Sequence, residues 1–148
     1  MLSGEPVLSV RYGSTSALVA AHGRIQPIQG NAERVLRDDP GPLILSPFVL
    51  AELDYMVNRD SGADGELKVL ADVAGGVHSL AEFSRADVAQ AAGVVERYSD
   101  LRIGLGDASI VVLAASYGTT GVLTLDERHL RAMRPLHAEA FTILPADA

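Results

Sequence analysis

The sequence predicts an α/β fold: a parallel sheet of about four or five strands sandwiched between helices. Three observations carry this expectation. Apolar runs of strand length alternate with helix-length segments along all 148 residues, the pattern of successive βα units. Clusters such as Asp39-Pro40-Gly41-Pro42 and Gly75-Gly76 punctuate the segments as turns. Hydrophobic residues make up 48% of a chain with no internal repeat, low-complexity tract or linker. A single domain spanning 1–148 is therefore expected, burying roughly 70% of its unfolded surface in one core.

Taken in order, Val7 to Tyr12 alternates apolar residues as a first strand. Residues 23–30 carry glycines and Pro27 and read as a loop, after which Asn31 caps a short helix over 32–38. Leu43 to Leu45 is a short buried strand. Ser46-Pro47 opens a helix over 48–58, with proline in the first turn where its missing N–H costs nothing. A second helix over 64–74 stops at Gly75-Gly76, and Val77 to Leu80 is a short strand. Ser84 caps a helix running to about Tyr98, with Asp87 three residues on as a partial capping box. Gly104 and Gly106 mark a turn, Asp107 opens a helix closed by Gly118, and Val122 to Leu125 is a strand. Glu127 to Met133 is a short helix and Phe141 to Leu144 the last strand.

Composition narrows the function. The absence of cysteine excludes disulfides, thiolate metal sites and cysteine nucleophiles. No basic segment leads into an apolar one near the N-terminus, and the longest apolar run, Ile110 to Ala115, is too short to cross a bilayer. A cytoplasmic domain without membrane partners is expected. The net charge is −7, with Lys68 the sole lysine. Such a chain repels phosphate backbones, so a polyanionic substrate requires cations at the site.

Ligands of open α/β sheets bind beyond the carboxyl ends of the strands, and three acids are expected there. Glu52 lies about two turns after the second strand, bordering one edge of a stripe made by Val49, Leu53, Met56 and Val57. Asp54 borders the other edge by a similar angle, and periodicity does not choose between them. Asp107 shares a face with Ile110, Val111 and Ala114 and is expected to point inward, its charge favoured by the helix N-terminus. Asp126 ends the strand Gly121 to Leu125. As single residues, Glu52 and Asp54 are explained as solvated flanks, and Asp107 and Asp126 as N-caps. Thr124 with Glu127 offers a competing capping box that weakens the last of these. Together, three carboxylates at one sheet edge repel one another unless a cation sits among them, and such oxygen clusters suit Mg²⁺ or Mn²⁺.

Four stretches now carry a resemblance. Ser14 to Ala20, Leu43 to Val57, Asp100 to Ala114 and Gly121 to Leu130 resemble, in order and spacing, the motifs of PIN-domain ribonucleases, specifically VapC-like toxins of type II toxin–antitoxin pairs. The likeness runs from about Val7 to Leu144. It implies a three-layer α/β/α sandwich and settles the tie in favour of Glu52, making Glu52, Asp107 and Asp126 metal ligands and catalytic residues. It also implies Mg²⁺- or Mn²⁺-dependent endoribonuclease activity leaving a 5′-phosphate and a 3′-hydroxyl, homodimerisation, and inhibition by a cognate antitoxin protein.

The departure is Ser14, which stands where the family places its first Asp, just before Thr15-Ser16. A neutral hydroxyl is a poor ligand for a hard cation, so activity is expected to be weakened or silenced. The alternative is a catalytically inactive module that binds an antitoxin or RNA. Thr15, Arg102 and Arg128, with His129, flank these positions and are weaker candidates for RNA phosphate. Capping is the stronger explanation for Thr15. His22, His78 and His137 lack metal-ligand spacing, and Tyr55 and Tyr98 are expected to pack rather than stack on bases. A phosphoacceptor receiver domain fails for want of a lysine near the last strands. A serine hydrolase fails for want of a G-x-S-x-G elbow.

Overall fold

Five short strands run parallel in one sheet among the described residues, which in the computed structural model are 7–9, 43–76, 78–123 and 128–144. They are β1 (Val7–Ser9), β2 (Leu43–Leu45), β3 (Ser79–Leu80), β4 (Gly121–Leu123) and β5 (Thr142–Leu144), in the order β3-β2-β1-β4-β5. The register aligns Ile143, Val122, Leu8 and Ile44 in one row across four strands. Ile44, Val122 and Ile143 of that row are buried. Each such aliphatic side chain contributes about 1.5–3 kcal/mol on leaving water.

The helices form where the caps anticipate them. Helix α1 (Pro47–Ala74) begins at Ser46, whose hydroxyl accepts the Phe48 N–H at 3.1 Å. It merges the two expected helices across a break at Gly62, where φ 69° and ψ −167° leave the helical region. Val49, Leu53 and Val57 before the break and Gly65 and Val69 after it are buried. Met56, expected in that stripe, is half-buried. Helix α2 (Arg85–Arg97) carries a complete capping box, Ser84 and Asp87 each accepting the other's backbone N–H. A 3-10 turn (Ser99–Leu101) then leads to α3 (Leu105–Tyr117), against which α2 packs.

Helix α3 is buried at nine successive positions, Gly106 to Ala114, as befits a helix that is apolar nearly all round. Gly118 ends it at φ 63°, a left-handed conformation that glycine adopts without cost. A short helix α4 (Arg128–Ala132) follows β4. Among the described residues no helix is long and apolar enough to cross a membrane. The expected extension of β1 to Tyr12, the 23–30 loop and the helix after Asn31 lie outside the described residues.

Candidate active site at the carboxyl edge of the sheet

The strand order reverses at β1: the chain moves outward through β2 and β3, then returns to place β4 on the other side of β1. Such a switch point opens a crevice at the carboxyl edge of a parallel sheet. Among the described residues, Ser46 leaves β2 at this edge and the start of α3 lies beside it.

One hydrogen bond fixes two of these elements. Ser46, the residue that leaves β2 and caps α1, meets Ser109 of α3 with 2.8 Å between their hydroxyl oxygens. Ser109 donates its proton to the Gly106 carbonyl at 2.7 Å, so Ser46 is the donor in the pair. Both serines are fully buried. The start of α1 and the first turn of α3 are thus held side by side.

Asp107 sits in that first turn. It was expected to open the helix; instead Gly104 is the N-cap, with no side-chain cap bond, and Leu105 and Gly106 precede Asp107 inside the helix. Gly106 reads locally as a turn residue, but its burial in the tight first turn keeps it helical. The inward orientation expected of Asp107 is observed: its side chain is only 2% exposed. A capping role does not explain it. The positive end of the helix favours its negative charge, and its Oδ2 lies 2.9 Å from Nδ1 of His129 in α4. His129 thus reaches one of the acids directly.

Glu52 is half-buried on α1, its Oε2 enclosed, and borders a cavity of about 430 Å³ with Ala51, Tyr55, Met56 and Arg59. Asp54 turns to the second half of α1. There its carboxyl faces Glu66, whose pKa it raises, while Asn58 donates to Glu66 Oε1 at 3.0 Å and works the other way. The two acids that periodicity left equivalent therefore have different surroundings: Asp54 serves the break in α1, and Glu52 borders a cavity. Arg59 at the cavity wall is paired with Asp60, 2.9 Å from Nε to Oδ1. Tyr55, expected to pack, is 68% exposed, because it lies two residues from Leu53 and hence on the opposite side of the helix. Tyr98 does pack against the core, and its hydroxyl accepts the Arg134 N–H at 3.0 Å.

The remaining positions divide plainly. Ser14, Thr15 and Asp126 lie outside the described residues, as does the side chain of Arg128. Arg102 is exposed at φ 52°, two residues before the N-cap of α3. His78 is buried and His137 exposed. Among the described residues no group of three His, Cys, Asp or Glu side chains is gathered to hold a metal ion. The carboxylate of Asp107 is buried and one oxygen of Glu52 is enclosed, and hard oxygen donors of this kind suit Mg²⁺ or Mn²⁺ rather than a softer metal.

Comparison with known proteins adds sequence to this geometry. The PIN domain family model matches residues 14–134. The chain is 44% identical over 131 residues to Ribonuclease VapC26 of Mycobacterium tuberculosis, covering 88% of this chain and 97% of that one. The crystal structure of Mycobacterium tuberculosis VapC20, a sarcin-ricin loop cleaving toxin, superposes with a TM-score of 0.72 over 84% of this chain and 92% of that one. At 18% identity, that match speaks to the fold alone. The fold expectation of a three-layer α/β/α sandwich holds, and with so long a stretch of shared sequence the affiliation follows: this chain belongs to the PIN-domain family, among its VapC-like ribonuclease toxins.

Proposed function

We propose that this chain is an Mg²⁺- or Mn²⁺-dependent endoribonuclease toxin whose cation is held by Glu52, Asp107 and Asp126, and whose activity is weakened by Ser14. The observation that carries this reading is the buried carboxylate of Asp107 at the switch point of the sheet. His129 holds one oxygen of this buried carboxylate, and a cation at this edge would add a second favourable interaction for its charge. The net charge of −7 means that an RNA substrate requires a cation as well. The chemistry supplied by a bound Mg²⁺ or Mn²⁺ is neutralisation of the phosphodiester and a lowered pKa for water.

The residues of the chain contribute orientation and charge. Asp107 is fixed by its place in α3 and by the Ser46–Ser109 bond two residues on. Glu52 approaches from α1, which starts at the same bond. Asp126, three residues after β4 in the sequence, is taken as the third carboxylate. Ser14 brings a neutral oxygen where a fourth negative charge belongs, so both cation affinity and turnover fall. A cognate antitoxin and homodimerisation in the cytoplasm complete the reading, supported by the kinship with VapC26. Ser14 also motivates a second reading, a silent module that binds antitoxin or RNA without cutting.

Assaying RNA cleavage with Mn²⁺ for this chain and for Ser14→Asp separates the two. The expected result is weak activity that rises by about 100-fold in Ser14→Asp, the scale of one stabilising group at a reacting centre. Equal metal-dependent activity would show that the position is dispensable. No cleavage in either form would leave the binding module.

A further inference from the structure

We infer that His129 is a positioning residue for Asp107: its Nδ1–H holds one carboxylate oxygen and so fixes the direction from which the other meets a cation. The inference rests on the metal-dependent reading above and extends it to a residue outside the acid set. The distance is 2.9 Å between Nδ1 and Oδ2, and the partners lie 22 residues apart on separate elements. A carboxylate only accepts, so the ring must carry its proton on Nδ1.

Both sides of the contact are anchored. His129 belongs to α4, where the neighbouring Leu130 and the nearby Met133 are each 2% exposed. The His129 carbonyl also accepts the Met133 N–H at 3.0 Å. The ring therefore projects from a backbone pinned into the core. Asp107 is pinned in turn by the buried first turn of α3 and by Ser109 on Ser46. A carboxylate on a rigid helix still rotates about its own side-chain bonds. A donor on one oxygen removes that freedom and keeps the group preset for a ligand. Partners of this kind commonly carry 10–100-fold in metal affinity. The side chain of Asp107 is only 2% exposed, whereas that of His129 is 36% exposed. Replacing the histidine therefore disturbs the partner of a buried acid without opening a large cavity.

The test is calorimetric titration of MnCl₂ into the metal-free full chain, its Ser14→Asp form, and His129→Ala, His129→Leu and His129→Asn made in both backgrounds. The Nδ2 of asparagine sits close to where Nδ1 does and donates to the same oxygen; alanine and leucine do not donate. Weakening of Mn²⁺ binding by about 10–100-fold in the Ala and Leu forms is expected, with most of it recovered in the Asn form. Leucine keeps apolar bulk at the site, and a metal-free thermal melt of each form reports on folding apart from binding. Unchanged affinity in Ala and Leu would overturn the inference, as would an Asn form as weak as Ala, which would mean that the ring itself is the ligand. No Mn²⁺ binding in either parent background would instead overturn the metal-dependent reading, and the positioning role with it.

Discussion

Ser46 Oγ donates to Ser109 Oγ at 2.8 Å across 63 residues of sequence, in a fully buried setting that joins the cap of α1 to the first turn of α3. Ser109→Ala strands the Ser46 proton away from water and is expected to cost about 1–3 kcal/mol. Ser46→Ala removes the cap bond to Phe48 as well and is expected to cost about 1–2 kcal/mol. Because the serines share one bond, the double variant should lose less than the sum. Urea denaturation of the four forms measures this, and strict additivity would show that the bond carries no coupling energy.

Gly62 occupies φ 69°, ψ −167°, a region essentially reserved for glycine, yet a Cβ built there meets no atom within 4 Å. Gly62→Ala therefore tests backbone strain alone. A loss of about 1–3 kcal/mol in chemical denaturation is expected. A neutral result would mean that α1 straightens through this position at no cost.

Across the same break, Asp54 raises the pKa of Glu66 above its usual 4.5. A carboxyl with a raised pKa in the folded state favours folding while protonated. That contribution is present below pH 4.5 and is lost as pH rises through the raised value. Glu66→Gln keeps a hydrogen-bonding amide but no charge. Its melting temperature should exceed that of the parent at about pH 7 and match it at about pH 4. Glu66 is only partly buried, so the difference should be small and shrink in high salt. A Gln variant less stable at neutral pH would contradict the raised pKa that the hydrogen bond with Asp54 gives Glu66.

Asp107→Asn leaves an oxygen to accept from His129 but removes the charge that a cation requires. Mn²⁺ at about 100 times its dissociation constant stabilises a folded protein by about 2.7 kcal/mol, a shift of several degrees in melting temperature. The parent should show that shift and Asp107→Asn should lose it, with metal-free stability kept. A variant that still responds to Mn²⁺ would place the cation elsewhere.

The division between what the sequence disclosed and what it concealed is physical. Ser84 with Asp87, Gly118 and Leu43–Leu45 act through neighbours within a turn or a strand, and each forms as read. The burial of Asp107 was legible because Ile110, Val111 and Ala114 share its face. Its place inside α3 was not, since Gly106 signals a turn until packing holds it helical. Nor could periodicity separate Glu52 from Asp54, whose difference arises from Glu66 beyond the break. The Ser46–Ser109 and Asp107–His129 bonds join elements that only the sheet order brings together, so no local pattern encodes them. The exposure of Tyr55 was within reach, since it lies across the helix from Leu53.

The central claim is that Asp107 is a cation ligand at the switch point of the sheet. A crystal of the full chain soaked in MnCl₂, with anomalous data collected for manganese, tests it most directly. An anomalous peak is expected on the Asp107 carboxylate, shared with Asp126 and close to Ser14, with His129 still on the Oδ2 of Asp107. Featureless density at Asp107, with the Asp107 and Asp126 side chains pointing apart, would contradict it.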